Sequence, residues 1–232
     1  ALAAIAETYA AEVRSAISQN LLLRFVPEEA LGGLYEALLE AGLALPEAHT
    51  LLDITRCPGA DTCNLAITRS RGLAQALEAH LSALPLAQDP GAKAIGVKIS
   101  GCPNSCGQHH IADIGFYGSS RKVGEREVPH YVLLLGGRTR EGEARFGQVV
   151  GRIPARRVPE AVERILKRYL EERQNGESFQ AYLDRVGAAS FKPLLQDLQE
   201  VPPYEEAPEF YQDLGAEGEA FSVQLGRGEC AV

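Results

Sequence analysis

The chain has 232 residues, of which 45% are apolar and 23% charged, with a net charge of −8 and an isoelectric point near 5.2. This acidity argues against a general nucleic-acid-binding protein, because such proteins need a basic face that displaces counterions from phosphates. The longest aliphatic runs are short, as at 132–135, so we expect no membrane-spanning helix. No basic segment followed by an apolar stretch opens the chain, and we therefore expect no secretion signal and a cytoplasmic location.

The first fifth of the chain predicts a helix, a strand and a second helix. Residues 1–18 are rich in Ala and Glu, lack Gly and Pro, and have apolar residues at helical spacing, so we expect one helix there. Residues 21–26 have the composition of a strand. Pro27 and the two Glu residues after it suit the start of a helix that ends near Gly42.

The central part of the chain mixes strands and helices without regular alternation. Residues 50–56 predict a short strand that leads into Cys57, and a helix from Asp61 or Thr62 to about residue 84 would place Cys63 in its first turn. Further strands are expected at 94–100, 111–118, 130–137 and 146–151, and further helices at 158–173 and 177–187. This order predicts an α+β fold, a mixed sheet flanked by helices.

The chain changes character from about residue 188. The stretch contains four prolines, and acidic residues cluster at 205–219. We predict one domain over 1–187 and a Pro-rich acidic tail over 188–232 that lies on the surface or reaches for a partner.

The five cysteines are too few for a disulfide scaffold, but four of them form two close pairs. Five residues separate Cys57 from Cys63, and three separate Cys102 from Cys106; Cys230 stands alone, and we interpret it as a free thiol in the tail. Two thiol pairs far apart in sequence are typical of a four-thiolate metal centre. Without a secretion signal, a reducing cytoplasm is favoured over an oxidising compartment.

The spacing of the cysteines favours an iron–sulfur cluster over zinc. Structural zinc sites usually have two to four residues between paired ligands, and the first pair is wider than that. A cubane cluster is larger than one ion and accepts the wider spacing. Four unlinked buried cysteines are less well supported, because both pairs lie in turns marked by Gly and Pro, CPGADTC and GCPNSC, where backbone N–H groups can turn toward sulfur. A structural zinc protein remains an alternative.

The two cysteine segments also resemble a known family. TRCPGADTCNLA (55–66) and SGCPNSCGQHHIADIGFYG (100–118) are similar to the cluster-binding half of the sirohaem-dependent nitrite and sulfite reductases. The segment 14–20 resembles the family's Arg-x-Thr-x-x-Gln-Asn segment, with Ala16 at the Thr position, so a hydroxyl contact from that position is not expected. The resemblance covers roughly residues 1–187, including LLLGG and GESF.

The resemblance implies a [4Fe–4S] cluster held by Cys57, Cys63, Cys102 and Cys106, with Cys106 bridging to the sirohaem iron. It implies an oxidoreductase in which electrons pass from the cluster to the sirohaem for the six-electron reduction of sulfite to sulfide, or of nitrite to ammonia. Asp61 and Thr62 before Cys63, and Leu65 and Ala66 after it, resemble the sulfite-type members more than the nitrite-type ones. We therefore expect a sulfite reductase, of the assimilatory type. The substrate-binding half, an N-terminal reductase half on the same or a separate chain, would be missing, so we expect little activity from this chain alone.

Further residues are candidates for the sirohaem pocket. Buried carboxylates of the macrocycle would need cations and N–H donors around them. Amide donors are available from Gln19, Asn20 and Asn104. Cations near the motifs are Arg56, Arg69, Arg71, Lys98, Arg121 and Lys122. For each of these residues a solvated surface role is the alternative and is favoured, whereas for Asn104, between two cysteines, the cofactor role is favoured. His109 and His110 could donate to carboxylates or relay protons, or simply pack at a strand start.

The expected partners are the missing half, an electron donor such as a ferredoxin or a flavoprotein, and a small anion substrate, with no nucleic acid and no membrane. A second hypothesis is a non-catalytic iron–sulfur electron-transfer module that docks to a partner without chemistry of its own.

Overall fold

The computed structural model of the chain describes residues 1–10 and 12–223, and Cys230 lies outside them. The chain divides into two compact units, Ala1–His49 and Thr50–Val232. Among the described residues, none of the helices combines the length and apolar character that crossing a bilayer requires.

The first unit is a helix, a β-hairpin and a second helix. Its elements are α1 (Leu2–Tyr9), β1 (Glu12–Ser15), β2 (Leu21–Arg24) and α2 (Leu31–Glu40). The predicted strand and second helix are confirmed, but the prediction of one helix over 1–18 is wrong. Residues of β1 pair antiparallel with β2, with Val13 opposite Leu23, and Gln19 turns the chain between them with a φ of 66°. The hairpin ladder therefore outweighs the helical propensity of this stretch.

The second unit contains a five-stranded mixed sheet with helices. Its elements are β3 (Thr55–Arg56), α3 (Ser70–Ser82), α4 (Pro90–Lys93), β4 (Val97–Ser100), β5 (Ile114–Val123), β6 (Arg126–Leu135), β7 (Gln148–Pro154), α5 (Val158–Glu172) and α6 (Phe179–Val186). The strands lie in the order β3-β4-β5-β6-β7, parallel from β3 to β5 and antiparallel from β5 to β7. This is the α+β fold that the sequence predicts.

The core of this unit lies between one face of the sheet and the helices α3 and α5, which contact each other. Phe116 and Leu133 are cross-strand neighbours on that face, and Leu77 of α3 and Ile165 of α5 pack in the same cluster, all with no exposed surface. Each such side chain stabilises the fold by roughly 1.5–3 kcal/mol relative to an exposed one. The helices are thereby fixed against the strands that carry the cysteine motifs.

Residues 188–223 form short 3-10 turns and no α-helix or strand. The irregular backbone matches the prediction for this stretch, but the stretch does not merely lie on the surface. Phe191 and Leu195 are fully buried in the core, and Leu214 is 6% exposed. The apolar side chains between the prolines anchor the segment, since burying them outweighs the cost of ordering an irregular chain. The domain boundary at residue 187 stays a prediction.

Candidate metal centre

Both cysteine motifs begin where neighbouring parallel strands end. Arg56 of β3 is in register with Ile99 of β4; Cys57 follows β3 directly, and Cys102 follows β4 after Gly101. Because the carboxyl ends of parallel strands meet at the same edge of a sheet, the two motifs lie side by side.

Hydrogen bonds to Gly101 join the two motifs. Its N–H donates to Cys57 Sγ at 3.1 Å, and its carbonyl accepts the N–H groups of Ile67 and Thr68 at 2.8 and 3.0 Å. A Cβ at position 101 would lie 2.6 Å from the Thr68 carbonyl oxygen. Glycine is needed here because the loop after the first cysteine pair packs directly on this backbone.

Cys63 is not in a helix, contrary to the sequence prediction. A 3-10 turn spans Gly59–Asp61, and α3 begins only at Ser70. The N–H groups of Ile67 and Thr68, which a continuous helix would use internally, bind Gly101 instead. Cys63 therefore lies ahead of α3 and not in its first turn.

The four thiols lie close enough to influence one another. Burial raises the pKa of Cys102, the Asn104 backbone N–H lowers it, and the neighbouring thiols of Cys57, Cys106 and Cys63 raise it again. Four thiolates would repel one another, and a cationic iron centre removes that cost. Each of the four is a free thiol; their exposure differs, with Cys57 and Cys102 buried, Cys63 half-buried and Cys106 exposed.

The chemistry of this donor set fits an iron–sulfur cluster. Within the described part of the chain, no three His, Cys, Asp or Glu side chains are placed to hold a single metal ion. The fit to a cluster rests on the four thiols together with backbone N–H groups that donate to the sulfurs of Cys57 and Cys102. N–H groups directed at sulfur are a feature that tunes iron–sulfur centres.

The other predicted site residues are distributed over both units. Asn104 is exposed in the loop between Cys102 and Cys106. Arg56 binds the Ile54 carbonyl at 3.0 Å and lies 3.7 Å from a Glu78 carboxylate oxygen, contacts that serve the fold.

Gln19 and Asn20 lie in the hairpin turn of the first unit, where the Asn20 amide donates to Ser18 Oγ. Their assignment to the cofactor stays a prediction.

His109 packs as a neutral side chain. It is fully buried, its Nδ1 lies 2.8 Å from Ser100 Oγ, and burial lowers its pKa to about 4, with His110 acting in the same direction. Of the two roles weighed for this residue, packing at the strand start is therefore supported for His109. His110 stacks on it with ring centroids 4.1 Å apart.

Two residues near the cysteines were not predicted from the sequence. Ser70 is fully buried, donates to the Cys57 carbonyl at 2.7 Å and has its Oγ 3.4 Å from Cys57 Sγ. Asp213 is 4% exposed and accepts the Arg69 N–H at 2.7 Å across 144 positions of sequence. A serine at a helix start and an aspartate in an acidic tail are ordinary sequence features, so no sequence signal distinguishes them.

Asp213 gives the fold a pH dependence. Burial raises its pKa to about 6, although the Arg69 and Leu214 N–H groups and the Arg69 charge lower it. Because the unfolded carboxyl ionises near pH 4, the folded state binds more protons between pH 4 and 6, and stability falls as pH rises through this window, by about 3 kcal/mol in total. Asp213→Asn should flatten this slope in thermal melts recorded from pH 4 to 7. Equal slopes for the two proteins would contradict the assignment.

Comparison with known families agrees with this site. A family described as "Nitrite and sulphite reductase 4Fe-4S domain" matches residues 47–201, and "Nitrite/Sulfite reductase ferredoxin-like half domain" matches residues 1–41. The chain belongs to the nitrite and sulphite reductase 4Fe-4S domain family, which confirms the resemblance carried by the cysteine segments.

Individual relatives extend beyond this chain. This chain is 32% identical to the ferredoxin–nitrite reductase of Synechococcus elongatus; the match covers 59% of this chain and 26% of that protein. It is 27% identical to the NADPH sulfite reductase hemoprotein β-component of Erwinia tasmaniensis; the match covers 84% of this chain and 32% of that protein. The solved structure of Mycobacterium tuberculosis NirA matches with a TM-score of 0.68 and 26% identity over 80% of this chain and 35% of NirA. The chain thus spans about a quarter to a third of the length of these relatives.

Proposed function

We propose that this chain is the cluster-bearing half of an assimilatory-type sulfite reductase, with a [4Fe–4S] cluster held by Cys57, Cys63, Cys102 and Cys106. The observation that carries the proposal is that the two thiol pairs lie together at the ends of β3 and β4. There the thiols of Cys57, Cys63 and Cys106 raise the pKa of Cys102. The family's 4Fe-4S description supports the same assignment.

Differences in exposure support a second role for Cys106, as the bridge to a sirohaem. Cys57 and Cys102 are enclosed by their own unit, whereas Cys106 is exposed and can offer sulfur to a group outside it. Together the cluster and sirohaem would supply the electron path and the iron at which the anion is reduced. Asn104 lies beside Cys106 and can donate its amide; Gln19, Asn20 and Arg56 are proposed as further cofactor-binding residues. The printed name of the Erwinia relative, a hemoprotein component, is in line with a haem.

A missing reductase half would complete the enzyme. The first unit matches a half domain, and its apolar side chains include several that are more than half exposed. These are Ile17, Leu21, Leu22 and Phe25. Exposed apolar residues this dense are typical of a surface that another protein segment covers. We propose that the N-terminal half, on the same or a separate chain, lies there and supplies the residues that bind the anion.

The proposed donor is a ferredoxin or a flavoprotein, because the relatives named above depend on ferredoxin or NADPH. We propose sulfite as the substrate, because the residues around Cys63 resemble those of sulfite-type members. Nitrite is the second candidate, favoured by the 32% identity to a nitrite reductase. We place the protein in the reducing cytoplasm, where four free thiols persist.

Optical absorption of the anaerobically purified chain, expressed in a host that makes sirohaem, tests the proposal. We expect a broad brown iron–sulfur absorption, and chlorin-type red bands if this half alone retains sirohaem. A colourless protein that contains zinc would overturn the proposal.

The purified chain should show little or no sulfite or nitrite turnover with reduced methyl viologen, because the anion-binding half is absent. Adding the N-terminal half should restore turnover. Substantial turnover by the chain alone would contradict the proposal that the N-terminal half supplies the residues that bind the anion. A chain that keeps its cluster but gains no activity with the other half would instead favour the non-catalytic electron-transfer module.

A further inference from the structure

A buried hydroxyl lies against one of the proposed cluster sulfurs. Ser70 Oγ is 3.4 Å from Cys57 Sγ and 2.7 Å from the Cys57 carbonyl oxygen, and the residue has no exposed surface. The close approach depends on Gly59, whose φ is +66° and at which a Cβ would lie 2.5 Å from Ser70 N and 2.6 Å from Ser70 Oγ. The loop after Cys57 is therefore shaped to admit this hydroxyl.

The position of Ser70 is set by a segment distant in sequence. Ser70 is the first residue of α3, and Asp213 accepts the N–H of the preceding Arg69 at 2.7 Å and that of Leu214 at 2.9 Å. Arg69 also donates through its guanidinium to the Gly215 carbonyl at 3.1 Å.

The same segment packs directly on the first turn of α3. A Cβ at Gly72 would lie 1.9 Å from the Leu214 carbonyl oxygen, so the two backbones are in contact. Residues 213–215 lie beyond the stretch 47–201 that matches the family domain.

We propose that segment 213–215 holds the first turn of α3 so that the Ser70 hydroxyl donates to the Cys57 sulfur when that sulfur ligates the cluster, which raises the cluster's reduction potential. The inference rests on the proposed function. A thiolate sulfur gains negative charge when the cluster is reduced, so a donated hydrogen bond stabilises the reduced state more than the oxidised one. Beside the free thiol, the Ser70 hydroxyl donates to the Cys57 carbonyl oxygen; a charged, ligating Cys57 sulfur would compete with that oxygen for the hydroxyl proton. Asp213 is a positioning residue that acts through Ser70.

The test is a redox titration of the whole 232-residue chain at pH 7.5, followed by electron paramagnetic resonance, after iron and acid-labile sulfide have been measured. Ser70→Ala removes one oxygen atom and should make reduction about tenfold less favourable, a shift of about 59 mV to lower potential for one electron. Ser82→Ala is the matched control, because this serine lies at the other end of α3 and its hydroxyl donates to Ala79 O. It should keep the wild-type potential.

Asp213→Ala separates positioning from charge. Removing a negative charge alone would raise the reduction potential, whereas releasing Ser70 should lower it. In the double variant with Ser70→Ala, the potential should shift no further than it does in Ser70→Ala alone. If Asp213→Ala does not retain iron, Asp213→Asn replaces it: one of the two carboxylate oxygens becomes an amide nitrogen, which cannot accept the Arg69 or the Leu214 N–H, so Ser70 is released and the potential should fall.

The outcomes distinguish this inference from the proposed function. A wild-type chain without iron overturns both. A full cluster with an unchanged potential in Ser70→Ala, or a raised potential in the Asp213 variants, overturns this inference alone. Loss of iron in Ser70→Ala but not in Ser82→Ala also overturns it, since Ser70 would then hold the loop without tuning the cluster.

Discussion

Replacing Cys102 by Ser should abolish cluster assembly, lowering the iron content from about four atoms per chain to near zero. Cys102 is a buried thiol, and the thiols of Cys57, Cys106 and Cys63 all raise its pKa, so it lies near each of the other proposed ligands. A serine hydroxyl does not ionise near neutral pH and is a harder ligand than a thiolate. Because cluster binding stabilises only the folded state, the variant should also melt at a lower temperature than the loaded wild type.

Cys230→Ser is the matched control for this loss, because we interpret this residue as a thiol outside the cluster. Its iron content and absorption spectrum should equal those of the wild type. Loss of iron in Cys230→Ser, or retention of four iron atoms in Cys102→Ser, would contradict the assignment of ligands.

Replacing Gly72 by Ala should destabilise the chain by about 2 kcal/mol or more, lowering the melting temperature by about 4–8 °C. The added Cβ would lie 1.9 Å from the Leu214 carbonyl oxygen, so either α3 or the segment around Leu214 must move. Alanine is a better helix former than glycine by about 1 kcal/mol, so a net loss would report the lost contact and not helix propensity.

Gly32→Ala provides the matched control, since Gly32 also lies within a helix, α2, and a Cβ there would meet no atom within 4 Å. This variant should be as stable as the wild type or more stable by up to about 1 kcal/mol. Circular dichroism melts of the three proteins make the comparison. Gly72→Ala melting at or above the wild-type temperature would show that the tail does not pack on α3 as described.

Sequence reasoning succeeded where the signal was local. The strands β4 to β7 and the helix α5 follow from the pattern of their apolar residues, and the two cysteine pairs were recognised from spacing and adjacent turns. Of the strand predicted at 50–56, only residues 55 and 56 form one. The helix predicted around Cys63 was wrong because the backbone N–H groups of Ile67 and Thr68 bind Gly101, a residue of the other motif. The helix predicted over residues 12–15 was also wrong, because the hydrogen bonds between β1 and β2 outweigh the helix propensity of these residues.

The contribution of the tail could not be predicted for the same physical reason. Prolines and acidic residues describe its composition, but Phe191 is buried against side chains of α5 and α6, and Leu214 packs on α3, a helix formed much earlier in the chain. The hydrogen bond from Arg69 to Asp213 spans 144 positions, and no local pattern signals a contact of that range.

That separation also has a consequence during synthesis of the protein. Ribosomes add about 5–20 residues per second, so the cysteine loop and the start of α3 are made roughly 7–30 s before Asp213. During this interval the first turn of α3 has no carboxylate to accept the Arg69 N–H, and its contact with Leu214 does not yet exist. The nascent chain thus passes through a period in which the loop that carries Cys57 and Cys63 already exists, while the contacts that hold the first turn of α3 beside it do not.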